Sequence, residues 1–229
     1  MSTKEAGVED SFTFTRPDGR QCHGFFAPVG GDPDVPGVVV LQEWWGVDDN
    51  IKNAARRFAS LGYRTLAPDL YHGKVTLEAA EAEHLMHQLD FGAAVSQDMR
   101  GAVQFLKQRS KKVGVVGFCM GGALAVMAAI HIPEVDAVSA WYGVPPPEAG
   151  DPRTIRVPFE GHFASIDKHF PPAVVDRLDA TLTDAGVPHE FHRYESNHGF
   201  ANEDAPYHDP AASALAWQRC ERFLAKWLR

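Results

Sequence analysis

Apolar runs of strand length alternate along this chain with segments of helical periodicity, and this alternation restricts the fold more than any other feature. Val38–Leu41 is an unbroken apolar run, as expected for a strand that is covered on both faces. Apolar residues then recur at helical spacing from Ile51 to Leu61, and strand-like and helix-like segments continue to alternate to the C-terminus. This order predicts an α/β fold with a mostly parallel central sheet and helices on both of its faces.

The same patterns, together with turn and capping signals, predict the element boundaries. An N-terminal β-hairpin is expected from Ser11–Arg16 and Gln21–Pro28, which a turn at Asp18-Gly19 connects. The other strands are predicted at Val38–Leu41, Tyr63–Ala67, Val113–Val116, Ala137–Trp141, Arg156–Glu160 and His189–Tyr194. Helices are predicted at Ile51–Leu61 with a cap at Asp49 or Asn50, and at Gly122–Ile130, Pro172–Ala185 and Ala211–Leu228. A further helical stretch runs from Thr76 to about Leu89, Gly92 interrupts it, and a second stretch continues to about Gln108.

Composition restricts the class of partner. The 229 residues are 45% hydrophobic, which is enough for one core, and we expect a single domain over residues 1–229. A net charge of -8 disfavours a nucleic-acid partner, because binding phosphates needs a basic surface. There is no apolar run of membrane-spanning length, and residues 1–10 are polar and acidic, so we expect a cytoplasmic protein without a membrane partner. The oligomeric state is left open.

A glycine-rich turn lies between a predicted strand and an Ala-rich helix. The segment Gly117-Phe118-Cys119-Met120-Gly121 has the pattern and the context of a nucleophile elbow, with cysteine in place of serine. Such a sharp turn needs clearance beside the nucleophile, and the two glycines provide it. The N-terminus of the following helix favours the thiolate. By itself the pattern also suits a turn around a small buried cysteine, but its position favours a nucleophile.

Two later loops supply a base and an acid in the chain order that this elbow requires. Asp167 follows the strand predicted to end near Glu160, and His198 follows the strand that ends near Tyr194. We therefore predict that His198 is the base and that Asp167 orients it. An aspartate in such a loop is more often a helix cap or a solvated acid, and His198 is one of 11 histidines. Their position in the chain order is what favours the catalytic interpretation.

Neither a cofactor nor a metal is predicted. His84 with His87, and His189 with His192, have ligand-like spacing, but neither pair has a cysteine or carboxylate set at a convincing ligand spacing. The three cysteines are an odd count without repeated spacing, which argues against a disulfide framework. Cys22 and Cys220 are therefore interpreted as buried packing residues.

Glu43 is unexpected, because it places a carboxylate directly after a strand predicted to be buried. A carboxylate there must be paired or hydrogen-bonded. One interpretation makes it part of the site, and the other makes it a loop acid that pairs with an arginine such as Arg64. The residues alone favour neither.

Aromatic residues near strand ends are candidates for the pocket wall. Trp44 and Trp45 lie at the carboxyl end of a strand, where pockets form. Other candidate substrate-binding residues lie in or beside loops, although each is at least as well explained as core: Tyr71, Trp141, Tyr142 and Phe163.

Several of these segments together resemble the dienelactone hydrolase (carboxymethylenebutenolidase) family of the α/β-hydrolase superfamily. The resemblance covers nearly the whole chain. It rests on Gln42-Glu43-Trp44-Trp45-Gly46, Ala67-Pro68-Asp69-Leu70-Tyr71, Gly117-Phe118-Cys119-Met120-Gly121-Gly122, Asp167 and Asn197-His198-Gly199-Phe200.

The resemblance assigns roles that the residues alone leave open. It implies that Glu43 holds the resting thiol until substrate displaces it. It also implies an oxyanion hole made from the backbone amides of Met120 and Trp44. In dienelactone-specific members an arginine that binds the substrate carboxylate lies four residues after the catalytic histidine, and that position here is Asn202. There is also no arginine between Arg64 and Arg100, so we expect a neutral or differently held ester.

The sequence therefore predicts a cysteine-dependent hydrolase of lactones or small activated carboxylic esters that acts through an acyl-enzyme. Aryl esters, thioesters and activated phosphotriesters are alternative substrates. A different class of function is a non-catalytic redox or ligand sensor that uses the same thiol.

Overall fold

The computed structural model describes residues 9–30, 32 and 34–229, and an eight-stranded sheet runs through its centre. The strands are β1 (Glu9–Thr15), β2 (Gln21–Ala27), β3 (Gly37–Leu41), β4 (Arg64–Pro68), β5 (Val113–Phe118), β6 (Ala137–Trp141), β7 (Phe159–Ala164) and β8 (His189–Tyr194). The α-helices are α1 (Asp49–Ser60), α2 (Ala79–Gln88), α3 (Phe91–Ala93), α4 (Arg100–Lys107), α5 (Met120–His131), α6 (Pro172–Asp184) and α7 (Pro210–Leu228).

The sheet has the order β1-β2-β4-β3-β5-β6-β7-β8. β1 and β2 pair antiparallel, β2 is antiparallel to β4, and every pair from β4 onward is parallel. The predicted N-terminal hairpin and mostly parallel sheet are thus confirmed. The chain leaves β3 for β4 on one side and later places β5 on the other side. Ligands of open α/β sheets bind beside such a reversal, at the carboxyl ends of the strands.

Helices cover both faces of the sheet, as predicted. On one face, α1 buries Ile51, Ala55 and Phe58 in the same apolar cluster as Trp217 and Leu224 of α7. The opposite cluster takes its apolar side chains from α2, α4, α5 and α6. The central strands are buried on both sides, which explains their unbroken apolar runs.

Some predicted boundaries need correction. The first helix is capped by Asp48, whose carboxylate accepts a hydrogen bond from the amide of Ile51, rather than by Asp49 or Asn50. The strand predicted at Arg156–Glu160 was placed too early in the chain. β7 begins only after Pro158, which has no amide proton to donate.

The helical segment after β4 also differs from the prediction. α2 begins at Ala79 instead of Thr76, and the break after it lies at Leu89 and Asp90 instead of at Gly92. The Asp90 carboxylate caps the next helical segment by accepting from the amide of Ala93. A π-helical turn, Ala94–Met99, then connects α3 to α4.

Residues 1–8, which hold most of the acidic N-terminal segment, lie outside the described residues. Within the part of the chain that the structure describes, no helix combines the length and the apolar character needed to cross a lipid bilayer.

Candidate active site

Cys119 lies on a strained turn between β5 and α5. Its φ is 56° and its ψ is -116°, a backbone conformation that side chains other than glycine rarely adopt. A Cβ atom on Gly117 would lie 1.9 Å from the carbonyl oxygen of Gly121, and a Cβ atom on Gly121 would lie 2.4 Å from that of Leu41. The prediction that these glycines supply clearance is confirmed. The turn leaves the thiol half-buried and directly ahead of the helix.

Three distant segments converge on this thiol. Nε2 of His198 lies 3.0 Å from Sγ of Cys119, and Nδ1 of the same ring lies 2.8 Å from Oδ2 of Asp167. β5, β7 and β8 each end just before one of these residues, so parallel strand ends bring them together. The structure therefore places the three residues of the predicted triad in one hydrogen-bonded line.

The charges within this line stabilise a protonated imidazole. Burial lowers the pKa of His198, but its hydrogen bonds to Asp167 and Cys119 outweigh burial and raise that pKa to about 10. Burial raises the pKa of Asp167, yet the hydrogen bond and the charge of His198 bring it below its usual value. The arrangement favours a proton on the imidazole and a negative charge on Asp167.

The loop after β7 fixes the carboxylate of Asp167. Its Oδ1 accepts hydrogen bonds from the amides of His169 at 2.7 Å and Phe170 at 3.0 Å, which leaves Oδ2 for His198. The rings of His169 and Phe170 also lie 4.8 and 5.7 Å from the His198 ring, measured between centroids. Sequence reasoning missed these two residues, although an aspartate that accepts from amides two and three residues later is a recognisable turn pattern.

Glu43 is buried, with 3% of its surface exposed. Asn202 donates an amide hydrogen bond of 2.6 Å to Oε2, and the hydroxyl of Tyr142 donates one of 3.5 Å to Oε1. Burial raises the pKa of the carboxyl to about 7, and the Asn202 hydrogen bond and the charge of His198 oppose this rise. Two neutral donors therefore hold the carboxyl group of Glu43 beside the triad.

Two expectations for Glu43 are corrected. Arg64 is not its partner, because that guanidinium donates to Ser110 and to the backbone carbonyls of Gly30 and Arg109 at the other end of β4. Nor does Glu43 hold the thiol in this structure: among the described residues, Cys119 hydrogen-bonds to His198 through its sulfur, and Glu43 bonds to Asn202 and Tyr142. Asn202 thus binds Glu43 instead of lining an open pocket, and it is buried.

The two amides predicted to face an oxyanion belong to neighbouring turns. Met120 is the first residue of α5, so its amide is one of the four in this helix that have no intrahelical acceptor. Trp44 lies in the turn after β3, and the first turn of α5 packs directly against the end of that strand, as the close approach of Gly121 to Leu41 shows. Both amides therefore belong to the same edge of the sheet as the thiol.

Tyr71 and Tyr142 border the triad but are buried. The Tyr71 hydroxyl donates to Sδ of Met120 at 3.3 Å, and burial, reinforced by the charge of Cys119, raises the pKa of that hydroxyl. The Tyr142 ring lies 5.3 Å from the His198 ring in an edge-on arrangement. Trp44 and Trp45 are partly exposed, with their rings 5.0 Å apart. The two tryptophans are therefore the predicted wall residues that remain accessible.

Trp141 and Phe163 do not line an accessible pocket. Trp141 is fully buried, packs against Phe118 and Trp217, and donates its indole N–H to Ser139 at 3.1 Å. Phe163 is 1% exposed and packs against Phe191. Residues on a strand that is covered on both faces point into one of the two cores, which accounts for both positions.

Comparison with known proteins gives a consistent result. A family model described as "Dienelactone hydrolase family" matches residues 25–228. A protein from Methylorubrum extorquens named "Putative carboxymethylenebutenolidase" is 32% identical over 222 residues, which cover 88% of this chain and 74% of that relative.

Solved structures with lower identity share the fold. A dienelactone hydrolase-like promiscuous phosphotriesterase, P91, from metagenomic libraries has a TM-score of 0.84 at 22% identity, and the match covers 97% of this chain and 100% of that one. Esterase 2 of Thermogutta terrifontis, phosphonylated by cyclosarin, has a TM-score of 0.74 at 16% identity over 96% and 94% of the two chains.

Proposed function

Since the chain belongs to the dienelactone hydrolase family and is a carboxylic ester hydrolase, we propose that Cys119 is its nucleophile and that lactones or small activated esters without a negative charge are its substrates. The observation that carries this proposal is the hydrogen-bonded line from Asp167 through His198 to Cys119, with contacts of 2.8 and 3.0 Å. A thiol on a strained elbow beside an oriented imidazole is what acyl transfer requires.

In the proposed mechanism, His198 takes the proton of the Cys119 thiol, and the sulfur forms a bond to the substrate carbonyl carbon. The π electrons of the carbonyl move to its oxygen, which the amides of Met120 and Trp44 stabilise. The intermediate collapses, the alcohol leaves with the proton from His198, and a thioester remains. Water then loses a proton to His198 and attacks the thioester, which releases the acid and regenerates the thiol.

The residues around the triad have supporting roles in this proposal. Asp167 holds His198 in the tautomer that presents Nε2 to the sulfur, since its own Oδ1 is fixed by two backbone amides. Glu43 is proposed to change hydrogen-bond partners when substrate enters, because its raised pKa of about 7 allows either protonation state near neutral pH. Trp44 and Trp45 would line the acyl side of the pocket.

The choice of a substrate without a negative charge rests on Asn202. Dienelactone-specific members of the family are expected to carry an arginine at this position, as the sequence resemblance implies. Here a neutral amide occupies it and donates to Glu43 at 2.6 Å, so this position supplies no positive charge for a substrate carboxylate.

Phosphotriesters form a second candidate substrate class. The relative P91 is described as a promiscuous phosphotriesterase, and its fold matches this chain with a TM-score of 0.84. A thiolate that attacks a carbonyl can attack a neutral tetrahedral phosphorus with a good leaving group through the same elbow. We propose this as a side activity that depends on the same thiol.

A panel of chromogenic aryl esters tests the proposal. Mixing enzyme with excess ester is expected to give a burst equal to the enzyme concentration, followed by slower steady turnover. Cys119→Ser should abolish the burst and lower turnover by at least about 10³-fold, whereas Cys22→Ser, which alters a buried cysteine elsewhere, should leave both unchanged. No turnover on any activated ester would overturn the proposal.

A further inference from the structure

Four ligand-type side chains meet on the face of the sheet that α7 covers. Glu160 and His162 are two residues apart on β7 and therefore point to the same face. His192 is paired directly with His162 on β8, and Cys220 approaches from α7. Glu160, His162 and Cys220 are almost fully buried, and one ligand atom from each lies within 4.8 Å of the other two. None of the four takes part in the proposed hydrolysis.

The two imidazole nitrogens are aimed into this cluster without a hydrogen bond. Nε2 of His162 lies 2.9 Å from one oxygen of Glu160, and Nε2 of His192 lies 3.3 Å from the other. Both contacts are close enough for an ion pair with Glu160, but neither nitrogen makes a contact with the geometry of a hydrogen bond. Buried polar groups in native proteins are nearly always satisfied, and a metal ion shared by the two imidazoles and this one carboxylate would satisfy all three groups.

The donor chemistry identifies the class of that partner. Two imidazoles, a carboxylate and a thiolate form a four-donor set of the kind that binds zinc tetrahedrally. A thiolate and a carboxylate together cancel the charge of a divalent ion, so the complex would be neutral, and a neutral centre can be buried at low cost. In a tetrahedral zinc centre with bonds of about 2.0–2.3 Å, the ligand atoms lie roughly 3.3–3.8 Å apart. The ligand atoms of Glu160, His162 and Cys220 now lie within 4.8 Å of one another, so they need to shift by only about 1 Å.

A second layer of hydrogen bonds already orients the ligands. The Tyr194 hydroxyl lies 2.8 Å from Nδ1 of His162, which leaves Nε2 of that ring for the centre of the cluster. Ser139 donates to Glu160 at 3.1 Å, and Arg219 donates to the Tyr194 hydroxyl at 3.2 Å. Metal-bound histidines are typically fixed through their other ring nitrogen in this way.

We propose that Glu160, His162, His192 and Cys220 form a structural zinc site that ties β7 and β8 to α7. On binding, the Cys220 thiol releases its proton to solvent and the sulfur bonds to the metal. His192 retains 18% exposure of its side chain, which gives the otherwise closed cluster its route to solvent. The four ligands come from three elements and span sixty residues of sequence, so no short sequence motif predicts the site.

Metal uptake by the whole chain tests the site. The Cys119→Ser variant, which lacks the half-exposed thiol of the active site, is unfolded in chelator and refolded with one equivalent of Zn²⁺ or Co²⁺. We expect about one bound ion per chain by elemental analysis. We also expect the cobalt form to show a thiolate-to-metal charge-transfer band and the visible bands of a tetrahedral site.

Matched variants assign the ligands. In the same background, Cys220→Ser should remove the charge-transfer band and His192→Gln should weaken uptake, whereas Cys22→Ser and His189→Gln should change neither. Cys22 is the other buried cysteine, and His189 lies on the same strand but bonds to Asp179. Tyr194→Phe should weaken metal binding by about 10- to 100-fold, because it releases His162.

The proposal is overturned if the chain refolds but takes up neither metal, which would leave a polar cluster only. It is also overturned if Cys220→Ser and His192→Gln both take up as much metal as the Cys119→Ser background. Should Cys220→Ser fail to fold, the cobalt spectrum of the background protein and the His192→Gln variant still decide. Loss of ester hydrolysis in Cys119→Ser is independent of this result, so a failure of the zinc site and a failure of the proposed hydrolase are distinguishable.

Discussion

In the proposed mechanism, the imidazole of His198 accepts a proton from Cys119 while Asp167 holds its other nitrogen. Asp167→Asn keeps the shape of the side chain but removes the charge that raises the pKa of His198, and it allows the wrong tautomer. We expect kcat on an aryl ester to fall by roughly 10²- to 10⁴-fold with little change in KM. Stopped-flow and steady-state rates measure this change. An Asn variant with wild-type kcat would show that Asp167 does not orient the base.

Glu43 is a residue whose ionisation opposes folding. Burial raises the pKa of its carboxyl from an ordinary value of 4.5 to about 7, so the folded protein holds this proton more tightly than the unfolded chain does. Its contribution to stability is complete below pH 4.5 and is lost as the pH rises through 7. Glu43→Gln, which keeps an acceptor for Asn202, should therefore become more stable than the wild type as the pH rises, by about 3 kcal/mol at pH 8 relative to pH 4.5.

Urea unfolding of both proteins across this pH range measures the difference. The raised pKa of His198 acts in the same direction, but its titration is present in both proteins and therefore largely cancels in the comparison. Curves that run parallel from pH 4.5 to pH 8 would contradict the raised pKa of Glu43.

At the scale of elements, the turn between β5 and α5 depends on the absence of side chains beside it. Gly117→Ala would place a Cβ atom 1.9 Å from the backbone oxygen of Gly121, so the strand and the helix would have to separate. We expect a loss of at least about 3 kcal/mol in the free energy of unfolding and of most activity. Gly92→Ala is the control, because its Cβ would meet only the side chain of Asp90 at 3.3 Å.

Urea midpoints of the two glycine variants provide the measurement. Gly92 lies in a helix, so Gly92→Ala should leave the free energy of unfolding unchanged or raise it slightly. Equal stability of Gly117→Ala and the wild type would mean that the elbow tolerates a wider turn than the structure shows.

The elements were predicted well where burial alone determines the pattern and poorly where buried polar residues interrupt it. β3 and β5 are unbroken apolar runs, and their positions follow directly from the sequence. β7 was placed too early because Glu160 and His162 are polar yet buried, and their mutual proximity is visible only after folding. The caps differ for a related reason: Asp48, Asp49 and Asn50 are all good caps, and only the packing of α1 selects the first.

The order of the site residues along the chain was predictable, but their partners were not. Cys119, Asp167 and His198 follow a fixed order at strand ends, so the sequence was sufficient to predict that they lie together. The pairing of Glu43 with Asn202 joins residues 159 positions apart, and nothing local indicates it. Trp141 illustrates the opposite error, since its position beside a loop suggested a pocket wall, but the covered face of the sheet buries it.

At the scale of the whole molecule, charge should select among substrates. The chain has a net charge of -8, and the neutral side chain of Asn202 stands where the family resemblance implies an arginine. For two esters of equal leaving group and size, one neutral and one with a carboxylate, we expect kcat/KM to favour the neutral ester by at least about 10-fold, which corresponds to roughly one missing charge-assisted hydrogen bond. The difference should shrink as salt is added. A preference for the anionic ester would point to a cation at the site that this account does not include.

The central claim is that the acyl group is carried by the sulfur of Cys119. Rapid mixing with an aryl ester, acid quenching, and mass spectrometry of the intact chain and its peptides would locate the group directly. We predict one acyl group per chain, on the peptide that contains Cys119, with its decay matching steady turnover. Acylation of a serine, or continued turnover without any acyl group on Cys119, would contradict the account.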